Sequence, residues 1–388
     1  MSGSTHNHQK VNSVLILECL DRSDPGSEGR FLSHMLDLMR IKSQYIEVWT
    51  KEQLLALLKT VPERVKIVHI TTHGVCRQSG KNFRGHWPQL LDRLRTVAGP
   101  WTICFEATCG YGYLYRELSR MAARVVVAHP GQLRLIFRAK RKNDRIDARK
   151  LAKLLYLDEV PPAHVPSQEV QSWRELLEHR RRMVDRQTTC KNAIRSLLRS
   201  HGKIAAPGLW TKKGLAWLRQ EEMPTAAARL KRDLLLDELA EAKRRVRTVT
   251  KALDEIGERH PAVLLLRTIP GVGIRTAETV AAYMDNAKRF VRSAQVGAYF
   301  GLVPCQDASA GVNRLGHITR QGPSTARKYL VEAAWQGVYR SPTIRAYFER
   351  VRHGRPERRK IALVATAHYL LRCMHAMLVR NQPWHEAA

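Results

Sequence analysis

The sequence predicts an α/β amino-terminal domain, a long basic helical or coiled-coil region, and a mainly α carboxy-terminal domain. Three observations carry this reading. Short apolar runs alternate with helical stretches as far as residue 160. Beyond Pro161-Pro162 come two long stretches with apolar residues at helical spacing on a cationic background. A Pro-Gly turn near residue 270 then opens a further helical block.

Taken in order, Val11 to Cys19 reads as a buried strand, followed by a turn at Asp24-Pro25-Gly26 and helical spacing through Phe31, Met35, Leu36 and Met39. Tyr45 to Trp49 is a second strand, Glu52 to Leu58 a helix, and Lys66 to Thr72 a third strand. Trp101 to Phe105 is a later strand, Gly112 to Ala122 a helix, and Val125 to Ala128 the next strand, so the sheet is at least partly parallel. From Gln168 to about His201, Trp173, Leu176, Leu177, Val184, Ile194 and Leu197 form an apolar stripe opposite a face of Arg and Lys. Breakers around Ala206-Pro207-Gly208 and Met223-Pro224 separate it from a second helix, roughly Ala227 to Arg259. The pair forms either an antiparallel hairpin or a self-associating coiled coil. Last come Pro270-Gly271-Val272-Gly273 leading into a helix, a polar loop from Gln306 to Gly316, and a helical block from about Ser324 to Arg380. No internal repeat is present.

The 388 residues include 66 Lys and Arg against 35 Asp and Glu, a net charge of +31. Such an excess repels itself in a compact fold unless an anion offsets it, and nucleic acid is the expected partner. No apolar run of transmembrane length and no secretory signal is visible, which points away from a membrane and toward the cytoplasm, in association with the nucleoid. The seven cysteines form no CxxC pair and are odd in number, so neither a zinc ribbon nor a disulfide framework is expected.

The most telling stretch is Lys142-Asn-Asp-Arg-Ile-Asp-Ala-Arg-Lys150, which sets Asp144 and Asp147 three apart within a cationic run. At that spacing they share one face of a helix. Phosphate binding alone has no use for two acids there, whereas phosphodiester cleavage needs carboxylates to hold a hard divalent cation. Glu106, at the end of the apolar run from Trp101, offers a third. The plainer reading of both aspartates is salt bridging to the basic residues around them, among them Arg138, Lys140, Arg141 and Lys142, which would draw in a phosphate backbone. The turn Pro270 to Gly273 exposes backbone N–H groups at a helix start, suiting Gly271 and Gly273 to a positional phosphate grip; a mere helix cap is the alternative.

Several segments together resemble the insertion-sequence-110 family of transposases: Phe105-Glu-Ala-Thr-Cys-Gly-Tyr, Val127-Ala-His-Pro-Gly-Gln, Lys142-Asn-Asp-Arg-Ile-Asp-Ala, Ile269-Pro-Gly-Val-Gly and Gly301-Leu-Val-Pro. Their order and spacing match from about Trp87 to the carboxy terminus. The resemblance implies a RuvC-like, ribonuclease-H-like domain with an Asp-Glu-Asp-Asp site for Mg²⁺ or Mn²⁺, a coiled-coil region, and a carboxy-terminal domain bearing a catalytic serine. It places Glu106, Asp144 and Asp147 on the second, third and fourth acids and Ser309 on the nucleophile. It further implies a DNA substrate, a structured guide RNA for at least some members, and a homo-oligomer. The domains expected are 1–80, an atypical α/β segment that is a fusion or a remnant; 81–165, the partial RuvC-like domain; 166–260, the basic helical hairpin or coiled coil; and 261–388, the serine-bearing domain.

One departure stands out. Pro62 sits about where the first acid belongs and Glu63 is the nearest acid, with Glu18 and Asp21 on a different strand as substitutes. Three functions therefore compete: a transposase or recombinase using serine and metal, an impaired remnant that only binds nucleic acid, and a RuvC-like junction nuclease with water as nucleophile.

Overall fold

The computed structural model describes residues 13–19, 42–48, 67–71, 91–92, 94–96, 100–108, 110–136, 144–205, 207–309 and 312–386, and the chain divides into two compact units, Met1–Pro166 and Ser167–Ala388.

The first unit is built on a five-stranded sheet. Its strands are β1 (Ser13–Cys19), β2 (Lys42–Val48), β3 (Ile67–Thr71), β4 (Thr102–Glu106) and β5 (Arg124–Ala128), in the order β2-β1-β3-β4-β5. Every neighbouring pair is parallel. This is one of the doubly wound orders, and it explains why β1 and β5 read as nearly continuous apolar runs rather than alternating ones. Helix α1 (Tyr111–Leu118) follows β4 through Gly110, whose φ of 82° lies in the left-handed region. Leu118 of α1 joins Leu91, Leu94 and Trp101 in the buried cluster, with Ile103 and Phe105 of β4 packed on it. After α2 (Pro130–Ile136), α3 (Asp144–Tyr156) packs against β3 and β4. The chain then returns antiparallel along β5, where His129 N–H donates to Pro161 at 2.8 Å and Ala163 N–H to Val127 at 2.7 Å.

The second unit begins with α4 (Gln168–Ser200), capped by Ser167 Oγ accepting from Val170 N–H at 3.2 Å. Helix α5 (Lys212–Gln220) leads to α6 (Ala226–Gly257), and α6 lies along α4. The two run antiparallel: Arg180 donates to Thr250 at 2.8 Å, and further along α4 Arg186 and Cys190 both reach Glu238, which comes earlier on α6. Of the two arrangements the sequence allows, the intramolecular hairpin is the one present in the single chain. Apolar clusters hold the arm at its ends. Trp173, Leu177 and Leu253 belong to the main core, while Cys190, Ile194, Leu218 and Leu236 form a distal one.

The remainder is a helical bundle: α7 (Pro261–Leu266), α8 (Ile274–Met284), α9 (Ser293–Tyr299), α10 (Ser324–Arg340), α11 (Pro342–Arg352) and α12 (Arg359–Arg380). Its core includes Phe300, Leu266, Val280, Leu330, Leu370 and Met374, all fully buried; each such side chain contributes about 1.5–3 kcal/mol on leaving water. The span Pro356–Arg380 is, among the described residues, the one segment long and apolar enough to cross a bilayer, which the sequence reading did not anticipate. It packs against α9, α10 and α11 and carries much of this core.

One expected loop is a hairpin. Residues read as a polar loop from 306 to 316 fall within β6 (Pro304–Ser309) and β7 (Val312–Ile318), an antiparallel pair joined by Ala310 and Gly311. Cys305, Gln306 and residues 314–317 are exposed. These exposed positions carry no period-two apolar pattern, which is why the sequence concealed the pair.

Candidate functional site

Glu106 is the last residue of β4 and is exposed. Because Ile103 and Phe105 pack into the cluster beneath α1, strand alternation turns Cys104 and Glu106 to the opposite face. That face is covered at Cys104, where burial pushes the thiol up to about 12. Toward the carboxy-terminal edge it opens, and Glu106 has no hydrogen-bond or ion-pair partner among the described residues. The edge is fixed by Ala107 N–H donating to Ala128 at 3.0 Å, which continues the β4–β5 pairing past Glu106.

Asp144 and Asp147 stand in the first turn of α3, the helix that packs against β3 and β4. The strand ending in Glu106 and the helix carrying both aspartates are thus packing partners within one unit. The side chains of residues 144–149 lie outside the described residues, as do Arg138, Lys140, Arg141 and Lys142 entirely. Among the described residues no three His, Cys, Asp or Glu side chains converge on one point. The donor set is nonetheless the right chemistry for Mg²⁺ or Mn²⁺, since carboxylates are hard oxygen ligands and two or three suffice alongside water.

Asp21, Pro62 and Glu63 lie outside the described residues, but β1 has a definite register. Glu18 pairs with Thr71 of β3, and Ile67 of β3 pairs with Thr102 of β4. Glu18 and Glu106 stand near the carboxy-terminal ends of β1 and β4, with β3 between them in the sheet. Sequence reading also passed over His129, an exposed residue one step beyond Ala128, the β5 partner of Glu106. Its ring Nδ1 accepts from Gln132 N–H at 3.3 Å at the start of α2. The signal was present in the quoted Val127-Ala-His-Pro-Gly-Gln segment.

In the second unit, Ser309 ends β6 and pairs with Val312 at the tip of the hairpin; its side chain is outside the described residues. Arg314, His317 and Arg320 are exposed along and beyond β7. The base of the hairpin is anchored by Arg327 on α10, a residue not singled out from sequence. Its guanidinium donates to the carbonyls of Phe300 at 3.1 Å and Gly322 at 3.2 Å, and to that of Gln321. Gly301 is required there: its φ is 68° and an added Cβ would lie 2.2 Å from the Gln321 carbonyl oxygen.

The glycines of the 270–273 turn differ from one another. Gly271 has φ 91° and lies so close to α10 that a Cβ would meet Gly337 N at 2.5 Å, so packing alone accounts for it. Gly273 is the N-cap of α8 and has open space where a side chain would be. The start of α8 at Gly273 is sterically open, which is what a backbone grip on phosphate would use.

Residues 65–202 match the DEDD transposase model of the IS110 type, and residues 263–349 match the model described as the transposase IS116/IS110/IS902 family. The chain belongs to the IS110 family of transposases. The two matches bracket the elements just described: the first spans β3 to α4 with Glu106, Asp144 and Asp147, the second the Pro270–Gly273 turn and the Ser309 hairpin. Relatives include a Sinorhizobium fredii protein named as a transposase, y4qE, 30% identical over 242 residues, which cover 62% of this chain and 58% of the relative. The transposase for insertion sequence element IS1111A of Coxiella burnetii is 28% identical over 60% of this chain and 64% of its own. That for element IS1328 of Yersinia enterocolitica is 26% identical over 63% and 73%. The chain thus spans about three fifths of the length of the first two. As an IS110-family member it carries the RuvC-like DEDD transposase domain within a largely helical chain.

Proposed function

We propose that this chain cuts and rejoins DNA as the transposase of a bacterial insertion sequence, with a carboxylate-held metal ion and Ser309 as nucleophile. The observation that carries the reading is the packing of α3, with Asp144 and Asp147 in its first turn, against the strand that ends in Glu106. Those three carboxylates would hold Mg²⁺ or Mn²⁺, which when bound polarises phosphoryl oxygens and lowers the cost of deprotonating a hydroxyl. Ser309, held out at a hairpin tip, attacks the phosphorus. The Oγ–P bond forms, one bridging P–O bond breaks, and the proton lost by Oγ is balanced by one taken up at the departing strand oxygen. The phosphoserine link conserves the bond energy, so that a hydroxyl of another strand displaces Oγ and reseals the DNA. Arg314, His317 and Arg320, exposed along and beyond β7, would contact the phosphate and offset the charge that develops on its oxygens. A structured RNA of the element as guide, and further copies of the chain, complete the proposed complex, which works at the nucleoid in the cytoplasm.

The test is incubation with supercoiled DNA bearing the element's ends, its flanking RNA and Mg²⁺. A phosphoserine-linked strand, absent in Ser309→Ala, is the expected product. Cleavage that survives Ser309→Ala yet fails in Asp144→Ala would replace this reading with a junction nuclease. Binding without breakage would leave a nucleic-acid-binding remnant.

A further inference from the structure

At the distal end of the arm, α5 and α6 line an open groove of about 300 Å³. Its floor is aliphatic, formed by Leu215 of α5 and Leu236, Leu239 and Ala240 of α6. Its rim is cationic: Arg219 from α5, and Lys243, Arg244 and Arg247 from α6. Arg244 is committed to Glu241, which it grips twice at 2.7 Å. Arg219, Lys243 and Arg247 have no carboxylate partner among the described residues. Lys191 from α4 adds a further charge: with burial, Lys191 and Arg247 depress the Lys243 ammonium. Lys191 and Arg195 also stand over the Trp210 ring, 5.5 and 5.2 Å from its centroid.

Arg219, Lys243 and Arg247, with no carboxylate partner of their own among the described residues, repel one another, and a bound anion relieves that repulsion. A simple phosphate would need no leucine floor. A stacked duplex has its bases turned inward and presents no base face to an aliphatic floor. An unpaired strand supplies both parts, a base with an apolar face and a phosphate on either side of it.

We infer that this groove is a docking site for unpaired DNA, with one base seated on Leu215, Leu236, Leu239 and Ala240 and the flanking phosphates on Arg219, Lys243 and Arg247. The choice of DNA rests on the function proposed above, since strand exchange must release unpaired DNA. The site lies within the second unit and needs neither Ser309 nor the carboxylates.

Fluorescence anisotropy on the full chain tests it, with a dye-labelled dT20, a 20-base-pair duplex and rU20 over a series of salt concentrations. Arg219→Glu with Lys243→Glu should weaken dT20 binding at least tenfold and flatten its salt slope by about 1.4 for two lost phosphate contacts. The control, Arg229→Glu with Lys231→Glu on an exposed stretch of α6, makes the same change in net charge and should cost less than threefold. Ala240→Phe fills the floor at an exposed helical position; it should weaken dT20 severalfold while leaving duplex binding and the salt slope unchanged. Equal losses in the two charge-reversal pairs, no effect of Ala240→Phe, or tighter binding of rU20 than of dT20 through the same residues would each overturn the inference. A chain that cleaves DNA while its groove variants bind dT20 normally refutes only this site. Groove-dependent binding without any phosphoserine product refutes only the proposed chemistry.

Discussion

Replacing Glu278 with Gln should make α8 more stable at pH 8 and leave it unchanged at pH 5. Glu278 is fully buried, Arg275 stands 3.0 Å away, and Gly257 at the end of α6 packs so closely that a Cβ there would lie 2.1 Å from Glu278 Oε1. Burial pushes the carboxyl up to about 7, against the opposing pull of Arg275. The folded chain therefore holds a proton that the unfolded chain releases near 4.5. Between those values the native state binds more protons, so stability falls as pH rises, and above 7 the loss is complete. At about 1.4 kcal/mol per unit, a window of about 2.5 units is worth roughly 3 kcal/mol as an upper bound. Gln reproduces the neutral form and removes the penalty. Because the chain has two units, the measurement should be local: hydrogen exchange of α8 amides at both pH values, corrected for intrinsic rates. Other titrating groups cancel between variant and parent. Faster exchange in Glu278→Gln than in the parent at pH 8 would mean that the Arg275–Glu278 pair is net stabilising, and the desolvation argument would fail.

Two further outcomes follow from the geometry. Gly271→Ala combines left-handed backbone strain with a clash against α10 and should cost about 2–4 kcal/mol in urea titrations of the second unit, whereas Gly273→Ala, with open space beside it, should cost under about 1 kcal/mol; similar costs at both positions would contradict the packing account of Gly271. Glu18→Gln should weaken Mn²⁺ binding at least tenfold by calorimetry, because Glu18 and Glu106 both stand near the carboxy-terminal ends of strands in one parallel sheet; unchanged affinity would mean that Glu106, Asp144 and Asp147 hold the ion without it.

What the sequence revealed depended on whether burial left a pattern in it. The strands of the parallel sheet and the two arm helices were legible because each buries a face, at period two or as a solid run for strands and at helical spacing for the helices. Glu106 was legible as an acid at a strand end and is the final residue of β4, where strand parity decides which face the carboxylate takes. The β6–β7 hairpin was illegible because its described residues 304–306 and 314–317 are all exposed and leave no alternating pattern. Arg327 was equally silent: an arginine that folds back on three carbonyls looks, in sequence, like any cation of a basic protein. The position of β1 beside β3 could not be read at all, since which strand neighbours which is set by long-range pairing rather than by local composition.

The antiparallel arm has one further consequence. Between Leu177 and Cys190 on α4, and between Ala242 and Leu253 on α6, no residue is buried; the middle is held by polar ties such as Arg180 to Thr250 and Gln187 to the Ala242 carbonyl. Ties of that kind exchange with water at little cost, so the shaft is its most compliant part. With α6 about 48 Å long at 1.5 Å per residue, a bend of ten degrees at the root swings the far tip by roughly 8 Å, more than the rise between successive base pairs. The shaft converts small adjustments in the bundle into travel on the scale of a nucleic-acid ladder.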